Sequence, residues 1–157
     1  MIELQLSGVE GVLKTLQSLP PEVVSKRGGV VKLALAKGAR LIRNEVKKNL
    51  QRIVTSDDST GLLYKNIIAS RGKEPIGTKG ERYIVRVKRK TYPNREGRPV
   101  TTLKTANILE YGSEKQMAQP FIRPAAESKA QEAINVVTAD LVKRLDKVVK
   151  DLARKNK

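Results

Sequence analysis

The sequence predicts an α+β fold: a small antiparallel β-sheet with a long packed helix and a second long helix at the C-terminus. Three observations lead there. Ile134, Val137, Leu141, Leu145, Val148 and Leu152 recur at steps of three and four residues, the spacing of one helical face. Over residues 22–50, Val23, Val30, Ala34, Leu41, Ile42, Val46 and Leu50 keep mainly to one side of a helix. Between these stretches, residues 82–90 alternate. Tyr83, Val85 and Val87 fall on one face, and Arg86 and Lys88 on the other, as in a half-buried strand.

In chain order, Ile2-Glu3-Leu4-Gln5-Leu6 alternates apolar and polar residues and reads as a short strand. Ser7 and Glu10 form a capping box for a helix through Val9, Val12, Leu13 and Leu16 to about Leu19. Pro20-Pro21 ends that helix and can open the next. Gly28-Gly29 then weakens it by about 1 kcal/mol per glycine, so the helix bends there or starts after it. Residues 51–59 are a Ser/Thr/Asp loop, and Gly61 marks a tight turn into a strand over 64–70 that carries Ile67 and Ile68. Residues 71–80 form a Gly/Lys/Pro loop ahead of the strand over 82–90. Pro93, Asn94, Gly97 and Pro99 make 91–102 the candidate mobile loop. A short helix over 104–111 stops at Gly112. Pro124 sits where the last helix begins, because its missing N–H is harmless there; that helix runs to about Lys155. Its apolar seam reads as a face packed on the sheet, or as one whose last turns meet a neighbouring subunit. No repeat or linker divides the 157 residues, which suit a single domain.

The net charge is +16 and the isoelectric point near 10.3. Such a chain is attracted to polyanions, either nucleic acid or an acidic protein surface. Residues 71–98 hold ten Lys/Arg against three acids. Within that stretch Arg82, Arg86, Lys88, Arg89, Lys90, Arg95 and Arg98 are the candidates to face phosphates or an acidic partner. The same charges would also protect an exposed sheet edge from pairing.

Cysteine and histidine are absent. A disulfide framework and thiolate metal sites are excluded, and so is the commonest general base. Asp57-Asp58 with Glu74 or Glu81 could in principle bind a metal as nucleases do, but turn-forming residues surround them and their spacing is not fixed. Gly77-Thr78-Lys79-Gly80 lacks the spacing of a phosphate loop. The reading is therefore no enzyme, no cofactor and no metal. Aromatic residues are 3% of the chain, too few for base-stacking platforms. No apolar run nears the roughly 20 residues of a membrane span, so the expected setting is a cytoplasm or a particle assembled in one.

The last candidate site is residues 108–126, ILEYGSEKQMAQPFIRPAA. Leu109, Glu110 and Tyr111 lead to a glycine stop at Gly112. A polar loop then runs into Pro120, Phe121 (the single phenylalanine), Ile122, Arg123, Pro124 and Ala125. Phe121 and Ile122 are expected under the start of the last helix. Arg123 is too polar to bury alone, so a pair with Glu110, within one subunit or between two, is expected.

This run resembles a phage family, the tail-component or tail-completion proteins typified by the gene-ten product of lambdoid siphophages. The family carries an apolar-Glu-aromatic-Gly-(Ser/Thr) segment, a spacer, then Pro-Phe-aliphatic-Arg-Pro-Ala. It also places a Thr-Gly-x-Leu motif after the long helix, matched by Thr60-Gly61-Leu62-Leu63. Thr105-Ala106-Asn107 depart from the tyrosine or histidine usual just before the Glu segment. The resemblance implies a structural virion protein at the head–tail junction, assembled in the host bacterial cytoplasm, with no membrane partner. It implies a ring of roughly six copies, or about twelve against a head connector, touching neighbouring neck and tail proteins and, nonspecifically, the duplex DNA that passes through. Glu110, Tyr111, Gly112, Phe121, Arg123 and Pro124 would belong to its subunit interface. The other reading of the same chain is a basic, sequence-nonspecific nucleic-acid-binding protein.

Overall fold

A computed structural model describes residues 29–54, 60–73, 81–94 and 96–155, together with Lys14. The expected strand at 2–6 and, apart from Lys14, the helix that follows it lie outside the described residues, as do the first turns of the helix expected from 22, Asp57, Asp58, Glu74 and Arg95. The architecture is α+β. Helix α1 (Val30–Ile53) leads through a one-turn helix α2 (Leu62–Lys65) to the hairpin β1 (Ile67–Arg71) and β2 (Tyr83–Val87). A second ribbon follows, β3 (Thr91–Pro93) and β4 (Pro99–Thr101), then α3 (Thr102–Tyr111) and the long α4 (Arg123–Lys155). Both ribbons are two-stranded and antiparallel. Ala69 faces Val85 in the first, and Tyr92 faces Val100 in the second.

Helix α1 begins after the double glycine, with Gly29 as its N-cap. It contributes to two apolar clusters. Val46 and Leu50 pack with Ile67 and Val87 of the hairpin, Ala106 and Leu109 of α3, and Phe121 and Ala125 at the start of α4. Val30 and Ala34 pack with Leu141 and Leu145 of α4. The seam of α4 therefore packs on α1 and not on the sheet, which corrects the first expectation for it. The two helices run antiparallel and come close where side chains are small. A methyl group added at Gly38 would lie 2.5 Å from Val137 Cγ2 and 3.2 Å from the Ala133 carbonyl oxygen. At that crossing Lys37 Nζ donates to Asp140 at 3.0 Å, and Arg144 donates to the same carboxylate from one turn along α4.

Four further expectations change. Tyr64 and Lys65 belong to α2 and not to a strand; Gly61, at φ +63°, caps that turn in the left-handed region. Strand β2 stops at Val87, short of the expected Lys90. The candidate mobile loop is the β3–β4 ribbon. Asn94 organises its tip, because Oδ1 accepts the N–H groups of Glu96 and Arg98, an Asx turn. The last helix opens at Arg123, one residue before Pro124.

Candidate functional site

The 108–126 run folds into a knuckle between α3 and α4. Helix α3 ends at Gly112, whose φ of +81° favours glycine. A methyl group there would also lie 3.0 Å from Ala118 N and 3.1 Å from the Gln116 carbonyl oxygen. The chain turns back through a bridge between Ser113 and Gln116, and the Gln119 N–H donates to the Leu109 carbonyl at 2.7 Å. Phe121 then enters the core at 0% exposure.

Glu110 is the centre of the knuckle. It is 5% exposed. Oε2 accepts the backbone N–H groups of Phe121 and Ile122, and Oε1 accepts that of Arg123, each at 2.9 Å. The first turn of α4 contains no acidic residue of its own. A helix N-terminus leaves N–H groups without partners and carries partial positive charge. Glu110 supplies both the acceptors and the negative charge from another helix. Within one subunit the expected Glu110–Arg123 pair is not a side-chain pair: the bond is to the Arg123 backbone, and the guanidinium lies 5.6 Å from the centroid of the Tyr111 ring. Tyr111 is 69% exposed, and Arg123 and Pro124 are exposed beside it. Met117, in the turn, is 88% exposed. The family-like residues thus divide into an inner set that fixes the joint (Glu110, Gly112, Phe121) and an outer set on the surface (Tyr111, Arg123, Pro124).

Lys88 and Lys90 lie at the other end of α3, bonded through their backbones to Thr102, and the other basic candidates are spread along β2 and the β3–β4 ribbon. Arg82, Arg86, Lys88, Arg89, Lys90 and Arg98 are all exposed. Arg86 donates to Ser70 Oγ at 3.1 Å, and Arg98 lies 3.5 Å from Glu96. Arg71, also in this basic stretch, is held bidentately by Glu81.

Lys88-Arg89-Lys90 form a continuous run whose backbone is clamped by a residue that charge reasoning passes over. Thr102, at 0% exposure, donates its hydroxyl to the Lys88 carbonyl at 2.7 Å and accepts the Lys90 N–H at 2.9 Å. Its own N–H donates to the Lys90 carbonyl. Thr101 Oγ1 caps α3 by accepting the Lys104 N–H, and the hydroxyls of Thr105 and Tyr92 bond to each other. The visible signal is the spacing Thr101-Thr102-x-x-Thr105 at a helix start.

Among the described residues no group of three acidic side chains could hold a metal, and no helix is long and apolar enough to cross a membrane. The arrangement offers a rigid joint, an exposed Tyr–Arg stack and a fixed row of cations. Comparison of the chain with protein-family models, curated proteins and solved structures finds no match.

Proposed function

We propose that the chain is a structural virion protein of a tailed phage or prophage, forming a ring at the head–tail junction through which DNA passes. The observation that carries this reading is the knuckle. Residues 108–126, on which the resemblance rests, form one joint in which a buried carboxylate holds the start of the longest helix. That is a structural use of those residues, with Tyr111 and Arg123 left on the outside to meet another subunit. Subunits would join by head-to-tail contacts that close into a ring, with neighbouring neck and tail proteins above and below. The basic run would face packaged DNA or an acidic neighbouring ring, and the protein would act without cofactor or catalysis in the virion. The test is electron microscopy of a lysate of the encoding phage with this gene stopped early. Filled heads beside unjoined tails are expected; intact infectious particles would overturn the reading.

A second reading is a basic, sequence-nonspecific nucleic-acid-binding protein. The exposed Lys88-Arg89-Lys90 row favours it, since phosphate contacts need cations at the surface and no base-reading element. Intact particles in the lysate experiment would move it to first place.

A further inference from the structure

The basic stretch over residues 71–98 divides by pairing. Arg71 is held by Glu81, and Arg98 lies 3.5 Å from Glu96. Lys88, Arg89 and Lys90 are exposed, and none of them has an acidic partner among the described residues.

The backbone bonds that clamp this row also bring up two lysines from distant parts of the sequence. The Lys88 N–H donates to the Asn66 carbonyl at 2.8 Å. Lys65, the residue before Asn66, closes helix α2 with its side chain exposed. On the other side, Thr102 bonds to the backbones of both Lys88 and Lys90. Lys104 follows two residues later in the first turn of α3; its N–H is held by Thr101 Oγ1, and its side chain is exposed. The end of α2, the end of β2 and the start of α3 therefore gather five cations: Lys65, Lys88, Arg89, Lys90 and Lys104. Among the described residues, Lys65 and Lys104 have no acidic partner either.

Like charges gathered on a clamped backbone repel one another, and an anionic partner relieves that cost. Four of the five are lysines, a residue that protein–protein interfaces deplete. Sequence-independent contacts to a nucleic-acid backbone are made by such side chains. We propose that Lys65 and Lys104 flank the Lys88-Arg89-Lys90 row to form one patch that binds the phosphates of duplex DNA. This rests on the reading in which the row meets DNA, and it holds for a ring or for a free nucleic-acid-binding protein alike.

Fluorescence anisotropy of a short duplex across a salt series tests it with the full chain and three variants. The first is Lys65→Gln with Lys104→Gln. The second is Lys88→Gln, Arg89→Gln and Lys90→Gln together. The third, Lys143→Gln with Lys147→Gln, removes the same charge as the first from exposed positions on α4. The first variant should lower the slope of log affinity against log salt by about 1.5–2, at roughly 0.9 for each phosphate released. The α4 variant should change it far less. A slope that falls in the second variant but not in the first would overturn the patch and leave the row as the DNA contact. Equal falls in the first and third would overturn it as well, since net charge alone would then account for them. No duplex binding by the full chain, or no change in any variant, would remove the DNA reading itself and the patch with it. Binding of polyglutamate that depends on Lys65 and Lys104 would in that case assign the cluster to an acidic protein.

Discussion

At Glu110 one side chain does what a helix normally does for itself. The three N–H groups it accepts come from the last residues before α4 and from its first residue, and burial keeps water from replacing it. A glutamine could present one oxygen to two of these donors, but its NH₂ would then face the third. We expect Glu110→Gln to lower stability by about 2 kcal/mol and Glu110→Ala by about 3 kcal/mol or more, because buried donors left unsatisfied keep their full desolvation penalty. Arg123→Ala should lower it by less than about 1 kcal/mol, since it removes only an exposed stack on Tyr111. Urea unfolding at neutral pH measures all three. A wild-type-like Glu110→Gln would mean the carboxylate charge is not needed, and an Arg123→Ala as damaging as Glu110→Ala would restore the side-chain pair.

At the scale of elements, the α1–α4 contact joins the second cluster to the first, and its polar member is Asp140. Hydrogen bonds from Arg144, foremost, and from Lys37 hold its carboxyl below the ordinary aspartate value. A folded-state value below the unfolded one adds stability that is fully present above the unfolded value, about 3.9, and is lost as pH falls through the folded one. Both cations are partly exposed, at 57% for Lys37 and 38% for Arg144, so screening keeps the effect to about 1 kcal/mol. Asp140→Asn should therefore be less stable than the wild type at pH 6, with the gap closing toward pH 3; a gap that is absent at pH 6 or unchanged at pH 3 would show that the ionised carboxylate contributes nothing.

Both helices in this contact are legible in the sequence, because burial imposes a period on Val46, Leu50, Leu141 and Leu145. What they pack against is not, because that period records a face and not its partner. The turns at Gly61 and Gly112 are legible because positive φ selects glycine. The β3–β4 ribbon is not: its strands are three residues long, β3 ends and β4 begins with a proline, and Asn94 and the threonines of α3 hold it in place of any apolar alternation. The capping role of Glu110 is hidden for another reason. Its partners are backbone N–H groups, which every residue but proline carries, so the nearby Arg123 side chain is the partner that a sequence offers first.

At the scale of the whole molecule, charge and shape together bear on the proposed contact with DNA. A net charge of +16 draws the chain to any polyanion. The row Lys88-Arg89-Lys90 is distinct because Thr102 fixes its backbone while its side chains stay exposed. Fixed cations without aromatic platforms or a base-reading helix grip phosphates alone, and such binding weakens steeply with salt. That would suit the proposed ring, through which a genome must slide. Replacing all three residues with glutamine should leave the fold intact, since none is buried. It should reduce the slope of log affinity against log salt for a short duplex by about 2–3, at roughly 0.9 for each phosphate no longer neutralised. Fluorescence anisotropy across a salt series gives that slope directly. An unchanged slope would remove the row from the DNA-facing surface and favour an acidic protein neighbour for it. Sequence-selective binding that persists at physiological salt would contradict sliding passage altogether.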